Sequence, residues 1–248
     1  MQESIDSTRL GTNRTGMQTS PALSKEMMDN AQLEPNETSA GLDGQALAEM
    51  RAEYVREADP LGSIPPPATA KGALKSGMKM MTCSRPQAFI DKLSERLAYE
   101  RAGTRLYEAA ITKFLEHSEE LPGATVSDFT HIRDEEAAHA LLIKECIEQL
   151  GADPTAQTPS AALVGIETMG ILQAVTDPRT SLAHTLHALL AAELVDEAGW
   201  ETLIALAENM GQKDMAARFR EAEQHEQEHI FKVRGWYESL TLESGQLV

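Results

Sequence analysis

Two short stretches carry the same pair of chemically useful side chains: Glu136 and His139 in RDEEAAHALL, and Glu226 and His229 in QHEQEHIF. On a helix an ExxH spacing puts a carboxylate and an imidazole on one face, a turn apart. Those are donors for a hard or borderline divalent metal. The spacing alone says little, because with 28 Glu and 7 His in 248 residues chance supplies about one such pair.

Register gives the pairs their meaning. Leu93, Leu97, Glu100, Thr104, Tyr107, Ile111 and Phe114 follow alternating steps of four and three, the seam of a bundle helix. A second seam runs through Phe129, Ile132, Glu136, His139, Ile143, Cys146 and Leu150, and a third through Leu186, Leu190, Glu193, Glu197, Trp200, Ile204 and Ala207. The fourth is Phe219, Ala222, Glu226, His229, Val233, Trp236 and Leu240. Charges are nearly absent from such seams unless paired or metal-bound, since an unpaired buried carboxylate is costly. Glu100, Glu136, Glu193, Glu226, His139 and His229 nevertheless interrupt these four.

The seams form two copies of one helical pair. Shifting the first by 93 positions puts Glu100 on Glu193 and Tyr107 on Trp200, and shifting the second by 90 puts Glu136 on Glu226 and His139 on His229. A duplicated pair implies a bundle with pseudo-twofold symmetry, in which the six polar groups meet at one level. Four carboxylates and two imidazoles, with no thiolate, suit two adjacent divalent ions whose charge balances the four acids. Two bland arrangements stay open: a buried hydrogen-bonded ion network, or helices turned so that these residues face water.

The elements that must position these groups follow from the turns. ELPGATVSD ends the first helix, Gly151 with Pro154 the second, and Gly211 the third. Short turns make antiparallel neighbours. The ~30 residues between the second and third helices, with a short helix near residues 161–174, are long enough to return the chain parallel. The expected fold is all-α: a four-helix bundle on residues 86–248 with one long crossover. Residues 1–85 form an N-terminal extension, largely irregular, with a short helix at 43–58 placing Leu47, Met50 and Tyr54 on one face behind an Asp43 cap. A proline-rich linker surrounds Pro65 to Pro67.

Composition agrees and excludes several classes. A 248-residue chain with 42% hydrophobic content has a proper core, and 4% aromatics argues for helices over a β-sandwich. The net charge of −17 arises almost wholly after residue 85, where 28 acids face 13 bases, and it opposes binding to nucleic acid or an anionic membrane. Cys83 and Cys146 are the only cysteines, which excludes a disulfide scaffold and a CxxC knuckle. With no apolar run of ~20 residues and no signal-peptide core, the chain reads as soluble and cytoplasmic. His117, His131, His184, His187 and His225 lack seam register and read as surface or packing residues. Met78, Met80 and Met81 read as packing, and Cys146 and Trp236 as core.

From Pro86 to about residue 240 the sequence resembles the ferritin-like superfamily, in particular the rubrerythrin-like di-iron carboxylate proteins. The motifs that carry the resemblance are Glu100 in LAYERAGTRLYE, the two ExxH pairs, and Glu193 in LLAAELVDEAGW. The resemblance implies that Glu136 and Glu226 bridge two metals, most simply iron, with manganese or a mixed pair as alternatives. It further implies that Glu100 and Glu193 are terminal ligands, that His139 and His229 give one nitrogen to each metal, and that Tyr107 lies beside the site. Rubrerythrins place an extra carboxylate one turn after the third-helix Glu. Asp196 stands there, with Glu197 as the competing candidate. No CxxC pair exists to build a rubredoxin domain, so electrons would come from a separate donor protein.

The expected function is therefore a di-metal redox enzyme acting on O2 or hydrogen peroxide, with Tyr107 as a proton or electron donor and the chain assembled as a homodimer. Iron storage with ferroxidase activity and a non-catalytic stress or interaction protein are the alternatives.

Overall fold

The structure, a computed structural model, describes residues 21–33, 44–65 and 86–246. Helix α1 covers Pro21–Leu33 and α2 Gly44–Glu57. Helix α3 covers Pro86–His117 and runs into a 3-10 turn at Ser118–Glu120. Then come α4 (Val126–Gln149), α5 (Pro159–Thr176), α6 (Leu182–Asn209) and α7 (Lys213–Gln246). No strand occurs among the described residues, and the fold is all-α. None of the helices described is long and apolar enough to cross a membrane.

Contacts divide the described residues into two units, one holding α1 and α2 and the other running from Gly62 onward. In the first, α2 keeps Leu47, Met50 and Tyr54 on one exposed face. Helix α1 has no counterpart in the sequence reading, which weighed its sparse large apolar groups and not its local propensity. It opens on Pro21, whose fixed φ suits a first turn, and continues in helix formers such as Lys25, Glu26, Met27 and Met28. The Asp43 cap, Pro66, Pro67, the cluster of Met78, Met80 and Met81, and Cys83 lie outside the described residues.

In the second unit the helix ends follow local chemistry. Thr125 and Asp128 form a capping box at the start of α4: Thr125 N donates to Asp128 Oδ2 at 2.9 Å, and Asp128 N donates to Thr125 Oγ1 at 3.3 Å. Ser181 and His184 do the same for α6. Both of these helices stop at a left-handed glycine, Gly151 at φ 84° and Gly211 at φ 70°. Beyond them Ala152 N donates to Ile147 O at 3.1 Å and Gln212 N to Ala207 O at 2.8 Å.

Helix α3 packs on α4, α5 and α6, and α6 packs on α7. Contacts between α3 and α6 run antiparallel: Tyr99 Oη donates to Ala192 O at 3.0 Å, while farther along α3 Lys113 Nζ donates to Thr180 O, just before α6, at 2.8 Å. The connection from α4 to α6 is pinned along α3 at both ends. Asp91 accepts from Ser160 N at 3.0 Å, and Lys113 Nζ donates to Asp177 O at 2.7 Å.

The apolar interior forms two clusters. One contains Leu106, Phe114, Phe129, Leu186 and Trp236, with Phe129 stacked on both Phe114 and Trp236 at centroid separations of 4.8 and 4.7 Å. The other contains Phe89, Leu93, Ile143, Trp200 and Phe219. Fully burying one such side chain stabilises by roughly 1.5–3 kcal/mol. These clusters therefore carry a costly polar layer between them: Glu100 follows Leu97 and precedes Leu106, and Glu226 and His229 sit between Ala222 and Val233.

Helix α6 departs from the expected register. Leu189, Ala192, Asp196 and Leu203 are buried beside Glu193 and Trp200, while Leu190, Glu197 and Ile204 are only half-buried. A straight helix with 3.6 residues per turn drifts from a strict 3.5 repeat, and α6 has α3, α5 and α7 as neighbours. The drift settles which of the two adjacent acids turns inward. It is Asp196.

Candidate metal centre

Glu100 on α3, Glu136 and His139 on α4, Glu193 and Asp196 on α6, and Glu226 and His229 on α7 converge in the polar layer, none more than 3% exposed. Their donor atoms form three overlapping groups: Glu136, Glu193, Glu226 and His229; Glu100, His139 and Glu226; and Glu100, Glu136, Asp196 and Glu226. Within each group one atom per residue lies within 4.8 Å of the others. Glu226 belongs to all three, and Glu136 to two.

The imidazoles face inward through Nδ1. His139 Nδ1 stands 2.8 Å from Glu226 Oε1 and 3.4 Å from Glu100 Oε2. His229 Nδ1 stands 3.2 Å from Glu226 Oε2, 3.5 Å from Glu136 Oε1 and 3.6 Å from Glu193 Oε2. Electrostatics show how strongly the cluster demands positive charge. Burial alone would lower the pKa of His139, yet the Glu100 and Glu226 carboxylates lift it to about 10. His229 is raised in the same way, against its burial, by Glu135, Glu136, Glu193 and Glu226. Glu226 is held below the usual carboxylate range because the two imidazoles outweigh its burial. Burial and the neighbouring Glu226 push Glu136 well up, and burial carries Glu193 to about 7.

The donor set fits divalent metal. Glu136 Oε2 is buried with no hydrogen-bond partner, and Glu100 Oε2, Glu193 Oε2 and Glu226 Oε1 are buried facing the site imidazoles without forming a hydrogen bond to them. Buried carboxylate oxygens are ordinarily satisfied, so these buried Glu and His groups could hold a metal ion.

Tyr107 on α3 donates a hydrogen bond from Oη to Glu193 Oε1. Burial, reinforced by the charge of Glu193, raises the phenol well above 10, so it keeps its proton. Trp200, at the equivalent place in the repeat, meets His139 edge-on with centroids 5.4 Å apart.

Several neighbours escaped the sequence reading. Arg96, one turn before Glu100, is buried: Nη1 lies 2.9 Å from Asp196 Oδ1 and donates to Asp196 O at 2.9 Å, while Nε lies 3.0 Å from Glu100 Oε1. Its guanidinium also lies over the Tyr99 ring, 4.5 Å from the centroid. Asp196 therefore points at a guanidinium as well as at the carboxylates. Two glycines make the room. A Cβ on Gly199 would come within 2.0 Å of Arg96 Nη1, and one on Gly103 within 1.9 Å of Glu136 Oε2. The i to i+4 step from Arg96 to Glu100 and two glycines inside strong helical patterns were the available signals.

The outward nitrogens of the two histidines also have partners. His229 Nε2 is 3.0 Å from Glu135 Oε2, and His139 Nε2 is 3.2 Å from His225 Nδ1, with the His139 and His225 rings stacked. His225 is thus a half-exposed residue packed on a site histidine, outside the donor groups themselves. Each of these partners immediately precedes the Glu of an ExxH pair, and the 90-residue shift equates them. The remaining histidines stay outside: His117 pairs with Glu120, the exposed His131 lies 3.4 Å from Glu135, His184 caps α6 and His187 packs on Tyr237. Cys146 is a buried free thiol whose pKa burial raises to about 11. Trp236 is core.

A family model described as a domain of unknown function (DUF892) matches residues 84–244. The chain belongs to that family, which lies within the ferritin-like superfamily. No curated protein and no solved structure matches the chain.

Proposed function

We propose that the chain is a rubrerythrin-like di-metal carboxylate protein, with two iron ions as the natural occupants, that reduces hydrogen peroxide or O2. The four long helices α3, α4, α6 and α7 make its four-helix bundle, residues 86–248 its functional domain, and the segment holding α5 its crossover. The observation that carries this reading is the sharing of Glu226 between the two histidine-containing donor groups, one ending on His229 and the other on His139. Glu100, Glu136, Glu193, Glu226, His139 and His229 would hold the ions, with Glu136 and Glu226 shared between them and one terminal carboxylate and one histidine for each.

When bound, two such ions would supply Lewis acidity and reversible one-electron chemistry to the O–O bond of the oxidant. The chain supplies the rest. The two apolar clusters keep bulk water from the layer, and the carboxylates hold the charge that fixes the ions. Tyr107 keeps a proton at Glu193 Oε1, next to the reacting centre. Reducing one H2O2 to two waters consumes two electrons and two protons. With no CxxC pair in the sequence, the electrons come from a separate donor protein.

The test is reconstitution with Fe(II) without oxygen, followed by addition of H2O2 or O2. A change in near-ultraviolet and visible absorption with peroxide consumption under a chemical reductant supports the proposal. A chain that binds iron yet leaves both oxidants untouched contradicts the redox function.

A further inference from the structure

The duplicated unit is not symmetric where it touches its histidines. Position 135 and its repeat equivalent 225 both meet the outward nitrogen of a site histidine, each crossing to the other copy. Glu135 of α4 meets His229 of α7, and His225 of α7 meets His139 of α4. One imidazole is therefore backed directly by a carboxylate and the other by a second imidazole, with Glu135 standing 3.8 Å from that second imidazole at His225 Nδ1 and 3.4 Å from His131 Nε2.

The same imbalance recurs at the terminal carboxylates. Glu193, grouped with His229, accepts from the neutral hydroxyl of Tyr107, whereas Glu100, grouped with His139, lies 3.0 Å from the Arg96 guanidinium. A carboxylate behind an imidazole makes the ring a stronger donor, and a cation beside a ligand oxygen competes for its charge. Asp196 shares that guanidinium with Glu100, so the positive charge is divided between two acids of the same donor group.

We propose that the two halves of the centre bind metal unequally: the half built on His229 and Glu193 is a tight position set by Glu135, and the half built on His139 and Glu100 is a weaker position set by His225. The inference rests on the di-metal reading above. Glu135 and His225 are positioning residues, acting on the metal through His229 and His139. The ligand class at both positions is a divalent cation, and the weaker one is filled and emptied while the tighter one stays occupied.

The experiment is a Mn(II) titration of the full-length, metal-stripped protein, with free and bound metal read by electron paramagnetic resonance. In the wild type a mononuclear bound signal should saturate first, and a spin-coupled pair should appear only at concentrations about 10–100 times higher, the usual range for loss of an outer partner. Mutual repulsion of two ions also produces a gap, so two variants decide the cause. His225→Asp should narrow the gap by tightening the second event, and Glu135→His should narrow it by weakening the first. Thermal unfolding of the metal-free variants checks folding, and either variant alone reads the gap if the other fails to fold. A gap unchanged in a folded variant overturns the inference while leaving the di-metal reading intact. Failure to bind Mn(II) or Fe(II) at all overturns both.

Discussion

Gly103 on α3 and Glu136 on α4 interlock through a missing side chain: the carboxylate of Glu136 fills the space a Cβ at 103 would occupy, with Oε2 only 1.9 Å from that position. The helix interior is an unfavourable place for glycine, by about 1 kcal/mol relative to alanine. Gly103→Ala therefore separates stability from site chemistry. The metal-free variant should unfold within about 1 kcal/mol of the wild type, since propensity gain offsets the displaced carboxylate, while metal affinity falls about tenfold or more because Glu136 must move. Calorimetric unfolding and metal titration of the same preparation check both halves.

Arg96 neutralises a layer that cannot tolerate its loss. Arg96→Met leaves Asp196 and Glu100 buried without their cation, and should destabilise the fold by about 3–5 kcal/mol. Adding Asp196→Asn removes one of the stranded charges and should recover a substantial part of that loss. Denaturant unfolding of the single and double variants measures it, and strict additivity would argue against a direct Arg96–Asp196 interaction.

Tyr107→Phe removes one hydroxyl and leaves Glu193 Oε1 without its donor. The metal-free chain should lose about 1–3 kcal/mol, the cost of a buried unsatisfied acceptor. In the iron-loaded protein, peroxide turnover should fall with iron stoichiometry unchanged. Equal losses of iron and turnover would instead assign Tyr107 a purely structural role.

The capping box of α4 gives a pH-dependent prediction away from the centre. The Thr125 hydroxyl, assisted by its backbone N–H, holds Asp128 below the ordinary carboxylate value of 3.8. A folded pKa below the unfolded one means that the stabilisation is complete above about pH 4 and is lost as pH falls through the folded value. Thr125→Ala should cost about 1 kcal/mol at pH 7. Thermal scans should show this difference shrinking only below pH 4, with no change between pH 5 and 8.

How much of this was legible in the sequence depends on which side chains lie on a seam. Glu100, Glu136, His139, Glu193, Glu226 and His229 fell at heptad-like positions of four apolar patterns, and all six are buried together. Gly151 and Gly211 likewise ended their helices where the sequence placed the stops. Asp196 could not be separated from Glu197 by spacing, because that required knowing how far α6 drifts around its three neighbours. Arg96 was hidden for another reason. A basic residue one turn from a glutamate is usually a solvated pair, and only Gly199, more than a hundred residues away, shows that space was kept for it. Glu135 and His225 sit next to seam residues and reach the layer only across the interface between α4 and α7.

The central claim is that four carboxylates and two histidines hold a pair of metal ions through a shared Glu226, and metal content per chain tests it most directly. Protein reconstituted with Fe(II) and freed of loosely bound ions should carry about two metals per chain, and Glu226→Ala, correctly folded, should carry fewer than about one. Wild-type protein without stoichiometric metal, or a Glu226→Ala variant that keeps both ions, would contradict it.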